Sequence, residues 1–421
     1  MHYLQPSTLS AKKILLMRRR LDGLFFFLAA FFLPLPTEAS AILLAIFLCM
    51  GLYVVVFKPR RALSHLDTKF LLVTLMFSAS SVAINLANGS IPEDFRWSSY
   101  PLYYSFVIPI IFGAVLVRDP LRQFVLGTRA ALLVLAVWGL AEVAAGSLRP
   151  GFGANPANAA FSITFIAVVS RLNVSSAPML LSNRYVFFYL GLIAVLITQT
   201  RALLPVFAAG LAIDIFGLLR NKVSGRMPVN RRSIGVAVAL ASCLAITSVI
   251  YPIYADRIGS TFGEIRHAVQ NSDSAATNGL SIRFAQWRAA VNLITENPLI
   301  GRGGAGVSEE IVRHKPEGFS GDLTQFTFVH NFILDETIQR GLLGLAILAG
   351  YFGFCLFRIY RFGDATMKEN VLLILVLTFS FGLLHYLLVK DRHVILYALY
   401  FLLLTTANHG WRAPYNPKIT G

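Results

Sequence analysis

The residues best suited to chemistry lie where the chain re-enters an apolar stretch, at the pair His330-Asn331. Asp335, Glu336 and Arg340 follow within about three helical turns. A histidine can act as a general base near neutral pH, and a nearby carboxylate can orient its ring or raise its pKa. Glu336 can equally form an ordinary i,i+4 ion pair with Arg340. Both explanations stay open at this level, as does a simpler role of His330 as an interfacial or helix-capping residue.

Arginines form the second set of candidates: Arg149, Arg201, Arg283, Arg288 and Arg302. A guanidinium group is planar and always charged, so several of them together suit a phosphate or diphosphate. Arg149 and Arg302 can also be interfacial anchors that reach the lipid headgroups. Arg201 differs, because Gln199-Thr200-Arg201 is a tight turn between two apolar stretches and predicts an antiparallel pair of helices there.

The elements that must position these residues are membrane-spanning helices. The chain has 421 residues, of which 56% are hydrophobic and 14% charged. Its mean hydropathy is +0.65. Its apolar runs are continuous, which favours helices over a β-barrel. The net charge of +16 comes mostly from short loops between these runs. The basic charge therefore indicates membrane topology, and nucleic-acid binding is excluded.

The sequence predicts an all-α polytopic membrane protein with about twelve transmembrane helices. The predicted spans are 21–36, 39–57, 69–88, 100–117, 124–146, 155–170, 185–199, 202–219, 233–251, 333–357, 370–389 and 393–408. Spans one to nine occupy 1–250, a large loop occupies 251–332, three more spans follow in 333–408, and a tail occupies 409–421. Lysine and arginine concentrate in the loops on one side, which places both termini in the cytoplasm and the large loop outside.

The large loop has structure of its own. Residues 281–297 predict a helix, with Ser281 as its N-cap and Asn297-Pro298 as its end. Its apolar stripe is Phe284, Trp287, Val291 and Ile294. Arg283 and Arg288 lie off that stripe. We therefore expect an amphipathic helix that lies on the membrane or on the helix bundle.

Motifs for metal and nucleotide chemistry are absent from the sequence. The outer loops contain no His-Glu-x-x-His, no clustered Cys and His, and no Asp-x-Asp, so no metal site is predicted. There is no phosphate-binding loop of the Gly-x-x-x-x-Gly-Lys type and no Gly-x-Ser-x-Gly. No cofactor is predicted. The main charge deep within a span is Asp214, which we expect to reach towards the cytoplasmic surface.

Three blocks of sequence together resemble the bacterial O-antigen ligases. One is His330-Asn331, nine residues, Gly341, two residues and Gly344. A second begins at Ser281, includes Arg283, Trp287 and Arg288, and ends in Pro298-Leu-Ile-Gly301-Arg-Gly303. The third is Thr200-Arg201 at the end of a span. Their order, the span plan and the single late outer loop are also similar to that superfamily, which includes O-antigen polymerases and protein O-oligosaccharyltransferases.

The resemblance implies glycosyl transfer at the outer face of a bacterial inner membrane. The donor would be an undecaprenyl-diphosphate-linked O-antigen and the acceptor a sugar hydroxyl of lipid A–core. His330 would be the general base, and Arg201 and Arg283 would stabilise the diphosphate leaving group. Supporting roles in substrate binding would go to Arg288, Arg149, Asn331, Arg340 and Glu336. Transfer would invert the anomeric centre without a metal.

Three alternatives use related chemistry. A polymerase would take the same donor and a second lipid-linked glycan as acceptor, and the spacing after His330 favours the ligase. A protein O-oligosaccharyltransferase is usually a longer chain. A transporter of lipid-linked glycans would also use outward arginines, but it would need neither His330 nor a folded loop helix.

Overall fold

The computed structural model describes most of the membrane-embedded chain. The ranges are 23–35, 38–57, 67–89, 100–114, 117, 119–147, 149–174, 176–223, 279–304, 306–317, 319, 321–323, 328–387 and 391–407, with the isolated positions 233, 237 and 241. The predicted ninth span, 233–251, and both termini therefore lie outside the described residues, apart from those isolated positions.

All regular structure in these ranges is helical. The helices are α1 (Gly23–Phe32), α2 (Ala39–Phe57), α3 (Thr68–Ala87), α4 (Tyr100–Ala114), α5 (Pro120–Ala144), α6 (Pro156–Ser170), α7 (Arg184–Thr198), α8 (Leu204–Val223), α9 (Gly279–Glu296), α10 (Val307–Arg313), α11 (Phe332–Phe362), α12 (Ala365–Gly382) and α13 (Asp391–Ala407). Two short 3-10 turns, Met179–Leu181 and Arg201–Leu203, lie before α7 and α8.

Within the described residues, six helical stretches are long and apolar enough to cross a membrane: α2, α3, α5, Arg201–Arg220, α11 and α12. The other apolar helices are shorter. Over the described residues the chain is thus all-helical, and these six stretches indicate a membrane protein. The total of twelve spans and the outward position of the 251–332 loop stay predictions. Several predicted boundaries differ by five residues or more. Helix α11 continues to Phe362, beyond 357, and α12 begins at Ala365, before 370, and ends at Gly382, because the chain then turns through residues 383–387 instead of continuing to 389.

The centre of the bundle is formed by α6 and α13. Nearly every side chain of α6 from Ala159 to Ser170 is buried, and Val394 to Thr406 of α13 are buried almost throughout. A helix that is apolar on every side must be surrounded by other helices. Helices α5, α7 and α12 pack around α6, and α4, α6 and α11 pack around α13.

A buried ion pair and its neighbours join four helices, α6, α7, α8 and α12, at the C-terminal end of α6. Arg171 donates to both carboxylate oxygens of Asp214 at 2.8 and 2.7 Å, and Tyr189 donates to the same carboxylate at 2.8 Å. Arg171 also lies 3.3 Å from Glu369 of α12. Asp214 is 0% exposed. Our expectation that it reaches the surface is therefore wrong, because its charge is paired inside the bundle.

The helix predicted at 281–297 in the large loop is present as α9. The side of α9 that is buried is not the predicted apolar stripe. Helix α9 packs through Ala285, Ala289, Ala290 and Leu293 against Ile338 of α11 and the loop around α10. Phe284 and Val291 of the predicted stripe are 40% and 51% exposed. The small alanine side chains let α9 approach its neighbours closely, and this leaves the bulkier residues outside.

Helix α11 is broken at Gly341, where the loop docks onto it. Gly341 has φ 68° and ψ −172°, a conformation that is essentially restricted to glycine. Four backbone hydrogen bonds join residues 298–303 to residues 338–343 across this break: Leu342 N to Pro298 O (2.8 Å), Leu343 N to Leu299 O (3.1 Å), Arg302 N to Ile338 O (2.8 Å) and Gly303 N to Gln339 O (3.0 Å). The two glycine-containing blocks of the sequence are thus the two sides of one junction.

Replacing Gly341 with alanine should destabilise this junction. A Cβ at position 341 would lie 2.2 Å from the carbonyl carbon and oxygen of Leu299, so the backbone must move. The strained conformation alone costs about 1–3 kcal/mol. We expect a clearly lower midpoint of thermal unfolding in detergent. Gly350→Ala is the matched control in the same helix, because nothing lies within 4 Å of its added Cβ. An equal effect of both substitutions would contradict the role of Gly341 in this junction.

Candidate functional site

His330 lies in a tight turn immediately before α11. Its backbone has φ 56°, in the left-handed region, and its side chain is half-buried. Nδ1 lies 3.0 Å from the carbonyl oxygen of Phe328. Because a carbonyl can only accept, Nδ1 carries the proton and the lone pair is on Nε2. Nε2 is therefore the atom that can take a proton from a substrate.

Three side chains hold the backbone of this turn. Trp287 of α9 donates from Nε1 to the carbonyl of Val329 at 3.0 Å, and Gln286 donates to the carbonyl of Phe328 at 3.4 Å. Asp335 accepts from the Val329 N–H at 3.0 Å. Of the two carboxylates considered above, Asp335 is thus the one that orients His330. It acts through the backbone, since it bonds to Val329.

Asn331 has a structural role at the start of α11. Its side-chain oxygen accepts from the N–H groups of Ile333 and Leu334 at 3.1 and 3.3 Å. These are the hydrogen bonds of an N-cap, which satisfy backbone donors that a helix start leaves open. A role of Asn331 in substrate binding stays a prediction beside this structural one. Asn331 fixes where the helix begins and hence where His330 stands.

Glu336 and Arg340 form a closed pair inside the protein. Arg340 donates from Nε and Nη2 to the two carboxylate oxygens of Glu336, both at 2.7 Å. Tyr100 donates its hydroxyl to Glu336, and its ring lies 4.5 Å below the guanidinium carbon of Arg340. The exposed fractions are 4% for Glu336 and 1% for Arg340. These contacts bind α4 to α11, and a role of Glu336 and Arg340 in substrate binding stays a prediction.

The two arginines of α9 have different surroundings. Arg283 is half-buried, and burial lowers the pKa of its guanidinium. The pKa of His330 is below its usual value. Burial is the larger cause, and the positive charge of Arg283 is the second. Arg288 is exposed on the same helix. The charge of Arg283 therefore acts on the histidine, whereas the side chain of Arg288 is exposed.

Arg149 and Arg201 lie at the same end of the bundle as His330. Arg149 is exposed and donates from Nε to the carbonyl of Thr198 at 3.1 Å, at the end of α7. Arg201 follows three residues later in the 3-10 turn, which packs against α6 and α12. The charge of Arg149 also reaches His385, a residue that contacts His330. The charges of Arg149 and Arg283 thus both act on His385, and the predicted convergence of these arginines with Arg201 stays a prediction.

The sequence analysis missed two aromatic residues of the site, His385 and Tyr386. Their ring centroids lie 6.3 and 5.8 Å from that of His330. Burial first, and then the charges of Arg283 and His330, lower the pKa of His385 to about 3. Both residues fell inside the predicted span 370–389. An ionisable residue within an apolar span is a signal of function, and this signal could have identified His385.

An apolar cavity of about 340 Å³ adjoins the site between α11 and α12. Phe332 and Ile333, directly after the His330 turn, form one side of it, and Leu387 forms another. Such a cavity suits hydrocarbon chains. Among the described residues, no three His, Cys, Asp or Glu side chains are placed to hold a metal ion. The expectation of transfer without a metal stays a prediction.

Comparison with known proteins identifies the segment that carries most of this site. A family model described as O-antigen ligase matches residues 186–349. This segment is thus similar to the O-antigen ligase family. It includes Arg201, Arg283, the 298–303 block, His330 and the break at Gly341, which confirms the resemblance drawn from the motifs. No curated protein matches the chain. The O-antigen ligase family groups ligase-type and polymerase-type membrane glycosyltransferases, so family membership does not by itself name the substrates.

Proposed function

We propose that this protein ligates a lipid-diphosphate-linked O-antigen polysaccharide to lipid A–core. Undecaprenyl diphosphate is the proposed carrier of the donor, and a sugar hydroxyl of the core is the acceptor. The observation that carries the proposal is the position of His330 directly before the residues that line a cavity suited to hydrocarbon chains, where burial and then the charge of Arg283 lower the pKa of its imidazole. A base, a cation and an apolar cavity are the three features that such a transfer needs.

The proposed reaction is a single displacement at the anomeric carbon of the donor. The acceptor oxygen attacks this carbon and passes its proton to Nε2 of His330. The bond between the anomeric carbon and the diphosphate oxygen breaks, and the electron pair leaves with undecaprenyl diphosphate. Arg283, with Arg149 and Arg201, stabilises the charge that builds on the diphosphate. The anomeric centre is inverted.

We place the site at the outer face of the bacterial inner membrane, with both termini in the cytoplasm. The distribution of lysine and arginine over the loops supports this orientation. The buried pair of Arg171 and Asp214 lies at the C-terminal end of α6, whereas Asn158 near its start contacts Tyr386 of the site. The candidate site and the proposed cytoplasmic loops are thus at opposite ends of α6. Both substrates then reach the site from the outer leaflet.

Reconstitution with defined substrates tests the proposal. The purified protein in liposomes would receive lipid-linked glycan and rough lipopolysaccharide, with a chelator present and without nucleotide. We expect a ladder of lipopolysaccharide bands that carry the glycan. Elongation of the lipid-linked glycan alone would indicate a polymerase, and movement of the glycan across the membrane without a new glycosidic bond would indicate a transporter.

The pH dependence of transfer should report the low pKa of His330. The base must be neutral, so kcat/KM should fall as the pH drops through a pKa below the usual value of 6.5. Arg283→Gln removes the positive neighbour and makes protonation easier. It should therefore move the acidic limb of the profile to higher pH. A limb that stays at the same pH in Arg283→Gln would contradict the proximity of the two charges.

A further inference from the structure

The chain after α12 turns beside His330 and contributes a second set of side chains to the site, which we call the second wall. Its residues His385 and Tyr386 present their rings to His330 at interplanar angles of 65° and 61°. The next residue, Leu387, lines the apolar cavity. One short turn thus borders both the candidate base and the space suited to a hydrocarbon chain.

Both rings are fixed by contacts on their other sides. The Tyr386 ring lies 4.5 Å from the Phe328 ring at an angle of 32°, and its hydroxyl accepts from the side-chain amide of Asn158 at 3.3 Å. His385 is stacked on Phe381, with centroids 4.6 Å apart and an angle of 20°. Preorganised rings bind a ligand without the entropy cost of ordering them.

The chemistry of this wall differs from that of the arginines. The imidazole of His385 stays neutral at ordinary pH, because burial and the charges of Arg283 and Arg149 oppose protonation. A neutral imidazole and a phenol each offer one donor and one acceptor beside an apolar ring. They match the hydroxyl groups and apolar ring faces of a sugar, whereas the arginines match a diphosphate.

We propose that His385 and Tyr386 form a binding subsite for the neutral sugar ring that lies next to the reacting anomeric carbon. This inference rests on the proposed function. Two sugars could occupy the subsite, the first sugar of the donor or the accepting sugar of the core. They share the same chemistry, and the kinetics of each substrate distinguish them.

The test is a comparison of KM values for the two substrates in the reconstituted protein. Tyr386→Ala should raise the KM of one glycan substrate by about two- to tenfold, since aromatic contacts contribute about 0.5–1.5 kcal/mol. Tyr386→Phe keeps the ring and should have a smaller effect. His385→Ala should raise the same KM, and His385→Asn, which keeps a donor and an acceptor, should restore part of the affinity. A rise for lipid-linked glycan assigns the donor sugar, and a rise for rough lipopolysaccharide assigns the acceptor sugar.

A purely structural role predicts another pattern. Tyr386 packs on Phe328, whose carbonyl holds His330, so a loosened turn would lower kcat and leave both KM values unchanged. That result would overturn the proposed subsite, provided that the variants have the same size-exclusion elution volume and the same midpoint of thermal unfolding as the wild type. Tyr360→Ala, which changes a 53% exposed tyrosine near the other end of α11, is the control and should alter neither constant.

A binding measurement separates failure of the subsite from failure of the proposed function. Rough lipopolysaccharide and lipid-linked glycan would be titrated separately against the wild type and against Tyr386→Ala by calorimetry in detergent. Weaker binding of either one to the variant supports the subsite, even if the wild type makes no transfer product and the ligase proposal fails. Equal binding of both ligands to the two proteins overturns the subsite, even if transfer itself is observed.

Discussion

Replacing His330 with alanine should lower kcat for glycan transfer by roughly 10²–10⁴-fold, the usual contribution of a general base. The proton of the acceptor hydroxyl then has no positioned acceptor, because Nε2 of His330 is the proposed base. KM values should change much less, since the imidazole acts mainly in the transition state. Single-turnover assays with lipid-linked glycan and rough lipopolysaccharide would measure the loss.

A matched control exists on the same loop. His314 pairs through Nε2 with Glu296 at 2.7 Å, at the far end of α9. His314→Ala removes an imidazole of the same region and should retain transfer within a few-fold. Full activity of a folded His330→Ala variant would exclude the proposed mechanism, whichever family the protein belongs to.

Arg283→Ala is expected to have the second largest effect, a loss of roughly 10²–10³-fold in kcat/KM. Arg283 is half-buried, and the positive charge of its guanidinium lowers the pKa of His330. The loss follows from charge on the diphosphate that is no longer stabilised. Arg283→Lys keeps a charge but not the planar pair of donors, so it should restore only part of the activity.

Arg288 provides the comparison for this experiment. It lies on the same helix, five residues from Arg283, and its side chain is exposed. Arg288→Ala should therefore lower kcat/KM much less than Arg283→Ala, and any loss should diminish at high salt. Equal losses in both variants would show that α9 attracts the substrate through its overall charge and that Arg283 has no special position.

Features that depend only on residues close together along the chain could be predicted from the sequence. The helical class, the bounds of most apolar helices within a few residues and the presence of a helix near 281–297 all rest on local periodicity. The i,i+4 pair of Glu336 and Arg340 is also a local property, because four residues make about one helical turn. The same holds for the position of His330 at the start of a helix.

The division of roles among similar residues needed the fold. Asp335 and Glu336 are adjacent in the sequence, yet one holds the His330 turn and the other closes an ion pair with Arg340. Arg283 and Arg288 are five residues apart on one helix, yet Arg283 is half-buried and its charge acts on His330, whereas Arg288 is exposed. The deciding factor is the rotation of α9, which depends on how its alanines pack against α11.

The sequence by itself therefore determined the class of protein, the family resemblance and the set of candidate residues. The tertiary structure decided that Gly341 breaks a helix to receive the 298–303 block and that Asp214 meets Arg171. It also brought His385 and Tyr386 to His330 from a turn more than 50 residues further along the chain. Periodicity reports which side of a helix is apolar. It carries no information on which distant segment that side will meet, because such contacts form only when whole helices pack.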